Sequence, residues 1–200
     1  MLLKTTTALT SILLCLAKNA AKQEKLRTEI MQLLPEKNSL VNAASMKNLP
    51  YLRACIKEAL RIFPVGPGLI RTTPKDMVLR GHKVPKGTDI TVITFLMLED
   101  PDFYPNPKEF LPERWLRSTN DNKAKSQCEG KNAHPFAYIP FGFGPRTCVG
   151  KRIVDMELEI GVAKIIRNFQ VEFNYPTDNI FKNVLINVPD KPLQFKFSDL

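Results

Sequence analysis

Apolar positions organise this chain into helical and extended stretches. Leu52, Ile56, Ala59, Leu60 and Phe63 recur at i, i+4, i+7, i+8 and i+11, one face of a 3.6-residue period. That stripe predicts a helix that starts near Pro50 and is ended by Pro64. Upstream, a mostly apolar run from Ala8 to Ala17 continues with Ala21, Leu26, Ile30, Leu33 and Leu34 until Pro35, which predicts two helices over residues 5–34 with a break near Asn19. Residues 35–48 read as a polar loop. Between 68 and 95, β-prone pieces alternate with turn signals at Leu69–Thr72, Met77–Leu79, His82–Val84 and 89–94, predicting one small antiparallel sheet. Residues 100–115 are proline-punctuated and irregular, and 117–133 form a polar surface loop. A last long helix carries Val149, Ile153, Met156, Ile160 and Ala163 as its apolar stripe, followed by short strands near 170–173, 184–188 and 193–197. There is no internal repeat.

Composition sharpens the middle of this picture. Sixteen prolines in 200 residues exceed the usual share of about 5%, and eleven of them lie between Pro64 and Pro145. No helix interior tolerates that density, so the centre is extended and turning chain held between helical segments. With 44% hydrophobic and 24% charged residues, the chain has the balance of a folded domain rather than a disordered, collagenous or disulfide-framework protein. The length suggests one domain.

The net charge is +9, concentrated in the first half, where 15 basic residues face 8 acidic ones against 14 and 12 in the second half. Nucleic acid is disfavoured, because the twelve Phe and four Tyr do not interleave with the basic residues as a base-stacking groove requires. A positive face for an acidic protein partner, or an ordinary solvated surface, fits better. Cysteines 15, 55, 128 and 148 form no C-x-x-C pair, and neither His82 nor His134 completes a zinc spacing. These features favour a reducing compartment. The first twenty residues imitate a secretory signal, yet the helical pattern runs on past them, so signal and buried helix stand as equal readings of the residues alone.

The chemistry concentrates in residues 140–152, Pro-Phe-Gly-Phe-Gly-Pro-Arg-Thr-Cys-Val-Gly-Lys-Arg. A phosphate-binding P-loop would need glycine where Pro145 stands and Ser or Thr where Arg152 stands. A structural turn is possible, but it does not require cysteine, arginine and three glycines in fixed register. The third reading is a metal-thiolate loop: a cysteine at the mouth of a helix has its thiolate favoured by the positive end of the dipole. Glycines 142, 144 and 150 let a flat cofactor approach, and Arg146 can bind a carboxylate at its edge. Such a loop suits a haem.

Phe141-x-x-Gly144-x-Arg146-x-Cys148-x-Gly150 resembles the haem-binding signature of the cytochrome P450 family, with five fixed positions in ten. Lys57-Glu58-Ala59-Leu60-Arg61 resembles that family's E-x-x-R helix and Phe110-Leu-Pro-Glu-Arg114-Trp115 its proline-rich meander, all three in family order. The resemblance implies a fold that is mainly α with small antiparallel β-sheets (α+β). Residues 1–200 would then be part of a larger domain whose amino-terminal portion is absent. It implies haem b (iron protoporphyrin IX) as cofactor with Cys148 as the axial iron ligand, whose electron donation favours O–O cleavage. Phe141, Gly142, Gly144 and Gly150 would shape the cofactor loop, and Arg71 would join Arg146 in binding the propionates. Glu58, Arg61 and Arg114 would form a buried structural network. Helical periodicity by itself instead places Glu58 and Arg61 opposite the apolar stripe, as an exposed pair worth ~0.2–0.5 kcal/mol.

The family's (A/G)-G-x-(D/E)-T-(T/S) stretch aligns at its tail with Met1-Leu-Leu-Lys-Thr5-Thr6, which keeps the threonines but has Leu2 for glycine and Lys4 for the acid. Thr5 is thereby a candidate oxygen-activating residue, although a lysine does not relay protons as a carboxylate does. The same alignment makes the amino terminus the end of a buried helix rather than a signal. A histidine-arginine pair common before the meander is replaced by Leu98-Glu99-Asp100.

Residues 52–58 and the Lys151-Arg152 pair resemble the animal mitochondrial branch of the family. That branch implies electrons from NADPH through an acidic ferredoxin-type donor, docked at Arg53, Lys57, Lys151 and Arg152 and steered by complementary charge. It implies a place at the matrix side of the mitochondrial inner membrane, with the endoplasmic reticulum membrane as the alternative, and peripheral membrane association through parts outside this chain. The implied activity inserts one atom of O₂ into a small steroid-like or xenobiotic substrate. The rival readings are a truncated non-catalytic protein retaining only a ferredoxin-binding surface, and a basic structural domain in which Cys148 is inert.

Overall fold

The computed structural model describes residues 2–42, 46, 48–116 and 134–200. The expected loop at 117–133 and Cys128 lie outside the described residues. Helices α1 (Leu2–Ala17) and α2 (Ala20–Leu33) part at the anticipated break. There the Asn19 side chain turns back to donate to the Cys15 carbonyl at 2.8 Å. Helix α3 (Pro50–Ile62) begins on a proline at its first position, where the missing N–H costs nothing. Its next two N–H groups, from Tyr51 and Leu52, donate to the Glu29 carboxylate of α2 at 2.8 and 2.9 Å. A carboxylate from another helix thus caps α3 and complements its dipole.

The predicted stripe of α3 is the centre of the core. Leu52, Ile56, Ala59 and Leu60 pack with Ile12 and Leu16 of α1, Leu26 and Ile30 of α2, and Leu158, Val162 and Ile166 of the last helix, α5 (Lys151–Asn168). The stripe expected along α5 is only half right. Ala163 is buried and Ile160 half-buried, whereas Val149, Ile153 and Met156 are exposed. The periodicity is genuine, but the first turns of α5 emerge beside the Cys148 loop, beyond the described surfaces of α1 and α2.

The 68–95 region forms two ribbons rather than one sheet. Strand β1 (Leu69–Thr72) pairs antiparallel with β4 (Asp89–Val92), with Leu69 opposite Val92 and Arg71 opposite Ile90. Strands β2 (Met77–Leu79) and β3 (His82–Val84) close on each other through Arg80 and Gly81, both at positive φ, which suits a two-residue hairpin. The strand expected at 89–94 stops at Val92, because Thr94 opens a five-residue helix, α4 (Thr94–Leu98), anchored by Phe95 N–H on the Pro67 carbonyl at 3.3 Å. Strand β5 (Phe169–Glu172) pairs with β8 (Lys196–Asp199), and β6 (Phe181–Val184) with β7 (Ile186–Pro189). The expected strand at 184–188 is mostly β7, but it starts two residues later, because Val184 ends β6 and Leu185, at φ 66°, makes the turn between them.

Polar and charged side chains also hold the core. Buried Gln23 of α2 donates to the Leu16 and Val171 carbonyls and accepts the Val171 N–H. Buried Arg27 donates to Ile166 and Phe169 carbonyls and to Gln170. From α5, Arg167 donates to the carbonyls of Leu34 and Pro35, closing the end of α2.

Glu113 of the meander receives Lys22 and Lys25, each at 2.8 Å, and the Tyr51 hydroxyl at 3.1 Å. Burial alone would raise its pKa, but the two lysine hydrogen bonds outweigh burial and hold it down at about 2, below the ordinary 4.5. A depressed carboxylate contributes stability that is full above the unfolded value and lost as pH falls through the folded one. The stability of Glu113→Gln, followed by urea unfolding at stepped pH, should therefore lie below wild type at pH 5 and converge with it towards pH 2. Parallel curves across that window would contradict the pairing.

Candidate functional site

Glu58 is the hub of one half of the site. Its side chain is fully buried, and its two oxygens accept five hydrogen bonds. Oε1 takes Arg61 Nη2 at 3.0 Å, Arg114 Nε at 2.9 Å and the Leu111 N–H at 3.1 Å. Oε2 takes Arg61 Nε at 3.1 Å and Trp115 Nε1 at 2.8 Å. Further donors of the arginines are used as well, with Arg61 reaching the Leu98 and Glu109 carbonyls and Arg114 the Pro105 carbonyl. The exposed pair suggested by helical periodicity is thus wrong, because the polar face of α3 meets the 3₁₀ turn Pro112–Trp115. Trp115 was absent from the expected network, although its place directly after Arg114 offered the signal.

The Cys148 loop is the other half. Gly142 and Gly144 adopt φ +72° and +69°, a region that strains any residue with a Cβ. Gly150, in contrast, sits at φ −82° as the N-cap of α5, a conformation open to other residues. A 3₁₀ turn at Gly144–Arg146 lifts the chain, and the Cys148 N–H closes the loop on the Phe141 carbonyl at 2.9 Å. Cys148 is exposed, Val149 beside it is fully exposed, and α5 begins just beyond at Lys151. The thiol therefore stands at a helix mouth with open space before it.

The loop packs on β1. A Cβ at Gly142 would stand 3.6 Å from Leu69 Cδ2, and Arg71, two residues along the same strand, shares the face of Leu69. Arg71 donates from Nη1 to its neighbour's carbonyl at 2.8 Å, but its Nη2 is buried with no hydrogen-bond partner among the described residues. Arg146 is exposed. An orphaned guanidinium nitrogen, an exposed thiol and a glycine with nothing within 4 Å of its missing Cβ at Gly144 fit a flat, carboxylate-bearing metal cofactor. Arg71 and Arg146 would hold its carboxylates and Cys148 its metal.

Behind this loop, Arg53, Lys57, Tyr138, Phe141 and Lys151 line a groove of about 480 Å³ between α3 and α5. Three of the four expected docking cations thus gather on one face, and Arg152 lines an adjoining cleft with Met156. Arg53 is held bidentately by Glu159 at 2.8 and 3.2 Å. Lys151 pairs with Asp155 at 2.6 Å and lies 5.2 Å from the Phe141 ring centre. Lys57 lies 5.7 Å from the Trp115 ring centre. The face is therefore less positive than its sequence suggests. Thr5 sits half-buried near the start of α1, and no hydrogen bond or ion pair among the described residues joins it to the Cys148 loop.

Comparison with known proteins agrees with this geometry. A family model described as Cytochrome P450 matches residues 4–197, and the chain belongs to that family. It is 56% identical to cytochrome P450 CYP12A2 of Musca domestica over 98% of this chain and 37% of that protein. It is 52% identical to probable cytochrome P450 12a5, mitochondrial, of Drosophila melanogaster, covering 98% and 37% of the two chains. With probable cytochrome P450 12d1 proximal, mitochondrial, of the same fly, identity is 48%, over 98% and 36%. The chain thus spans little more than a third of the length of these relatives.

Proposed function

We propose that this chain supplies the haem-binding, thiolate-ligand part of a monooxygenase. The observation that carries the reading is an exposed Cys148 in the loop that packs on β1, the strand that carries the orphaned Arg71 Nη2. Cys148 would ligate the iron, with Phe141, Gly142 and Gly144 holding the loop to leave room beside the sulfur. Arg71 and Arg146 would orient the cofactor by its propionates, and the Glu58–Arg61–Arg114 network would fix α3 behind it. Haem, held by these residues, would supply O₂ activation for placing one oxygen atom in a small organic substrate, steroid-like or xenobiotic, with two electrons and two protons taking the other to water. Thr5, from α1, is the candidate for assisting proton delivery on the oxygen side.

The two relatives whose names include mitochondrial support a place in that organelle, and the matrix side of its inner membrane is the position this proposal assigns. Electrons would come from NADPH through an acidic ferredoxin. Its docking face would be the groove bearing Arg53, Lys57 and Lys151 with neighbouring Arg152, whose cations attract an acidic partner. Addition of carbon monoxide to the reduced, haem-reconstituted chain tests the reading. A red-shifted Soret band is expected once a segment corresponding to the rest of the relatives' length is supplied. No such band with that segment present would remove the monooxygenase reading and leave a binding surface only.

A further inference from the structure

Two carboxylates, Asp155 and Glu159, stand one helical turn apart on α5, and both line the groove between α3 and α5 as well as the adjoining cleft. They hold the cations of this face in different ways. Glu159 accepts Arg53 Nε at 2.8 Å and Nη2 at 3.2 Å, and the same Nη2 donates to the Met46 carbonyl at 2.6 Å. Arg53 thereby ties α3 to α5 and to Met46, ahead of α3, and its partner carboxylate is only 18% exposed. Lys151 meets Asp155 through one contact of 2.6 Å, four residues along the same helix, with the two side chains 50% and 36% exposed.

An acidic partner can open the second pair at little cost but not the first. An exposed i,i+4 pair is worth no more than about thermal energy, so Lys151 can exchange Asp155 for a carboxylate of the partner. A planar guanidinium held bidentately is already ordered and satisfied. A carboxylate that claimed Arg53 would displace Glu159 and leave that acid unpaired beside itself, and like charges brought together at an interface are strongly disfavoured. Lys57 and Arg152 are exposed on the same side of the molecule.

Resting on the reading of this groove as the docking face for an acidic ferredoxin, we infer that Glu159 withdraws Arg53 from docking, so that Lys57, Lys151 and Arg152 meet the partner. Arg53 is then a positioning residue that holds α3 against α5. Glu159 is a specificity residue, because it penalises a partner whose carboxylates are spaced to reach Arg53. It also removes one charge contact, which shortens the stay of a donor that must leave after delivering its electron.

Surface plasmon resonance of the full chain over an immobilised acidic, plant-type iron–sulfur ferredoxin tests this with two double variants that each leave the net charge of the face unchanged. Arg53→Gln/Glu159→Gln should bind within about twofold of wild type, whereas Lys151→Gln/Asp155→Asn should bind about fivefold more weakly. Glu159→Gln alone unmasks the Arg53 charge and should tighten binding about threefold at low salt, a gain that added salt erases. A purely structural role for the pair would weaken binding at every salt concentration and would not make Glu159→Gln tighter. Native Trp115 emission reports that the groove is folded in each variant, and should Arg53→Gln/Glu159→Gln unfold, Glu159→Gln decides alone. A loss in Arg53→Gln/Glu159→Gln equal to that of the Lys151 pair, or no tightening by Glu159→Gln, would overturn the inference and leave the docking face standing. Unaltered affinity in Lys151→Gln/Asp155→Asn would overturn the docking face and the inference together.

Discussion

Glu58→Ala is expected to remove a large share of the stability of the fold. The substitution strands Arg61 and Arg114, whose side chains are 0% and 3% exposed, together with the Trp115 indole N–H and the Leu111 N–H. Removing one partner of a buried ionic group costs about 3–5 kcal/mol, because the charges left behind have lost their water and their counter-ion together. Against a typical domain stability of about 5–15 kcal/mol, that is a large share. Glu58→Gln keeps the volume but not the charge, and should recover less than half of the loss. Trp115 is the only tryptophan and touches Glu58 directly, so its fluorescence reports the network itself during urea unfolding. A loss below about 1 kcal/mol, the range of an exposed pair, would show that the network adds nothing beyond proximity.

Cys148→Ala is expected to abolish the red-shifted Soret band of the reduced carbon monoxide complex, measured in a form supplied with the rest of the domain. The fold should tolerate the change, since Cys148 is exposed while the core cysteines are not. Neither Cys15 nor Cys55 can substitute for it. Burial pushes both thiols well above their ordinary range, so neither offers a thiolate. Cys148→His should retain haem without the red shift, which separates loss of the cofactor from loss of thiolate ligation. A red-shifted band surviving in Cys148→Ala would assign the ligand elsewhere.

Helix α3 was legible in the sequence because its apolar stripe meets three other helices, the situation that periodicity describes. The same reasoning misplaced Val149, Ile153 and Met156, because a stripe records what a helix could bury and not what stands opposite it. It also turned Glu58 and Arg61 towards solvent, since periodicity assigns polar residues to water and cannot see polar groups saturating one another. Gln23, Arg27 and Arg167 escaped notice for that reason. Helix α4 was too short to show a period, and the Leu185 turn lacked the glycine or asparagine that usually marks positive φ. The Cys148 loop, in contrast, was readable residue by residue, because its positive-φ glycines and its cysteine are local requirements. Arg71 needed both sources: the motif order singled it out, and only the structure shows its unsatisfied nitrogen.

The seam formed by Gln23, Arg27 and Arg167 joins the two ends of the chain, through bonds such as Gln23 to Val171 and Arg167 to Leu34 across 148 and 133 residues of sequence. Helix α2 therefore lacks its final carbonyl partners until Arg167, 133 residues beyond Leu34, has been synthesised. Contacts of such separation slow folding, since loop closure must precede the reward of the contact. During synthesis on the ribosome, at about 5–20 residues per second, α1 and α2 wait many seconds with their apolar faces open. That interval is when a chaperone would find them.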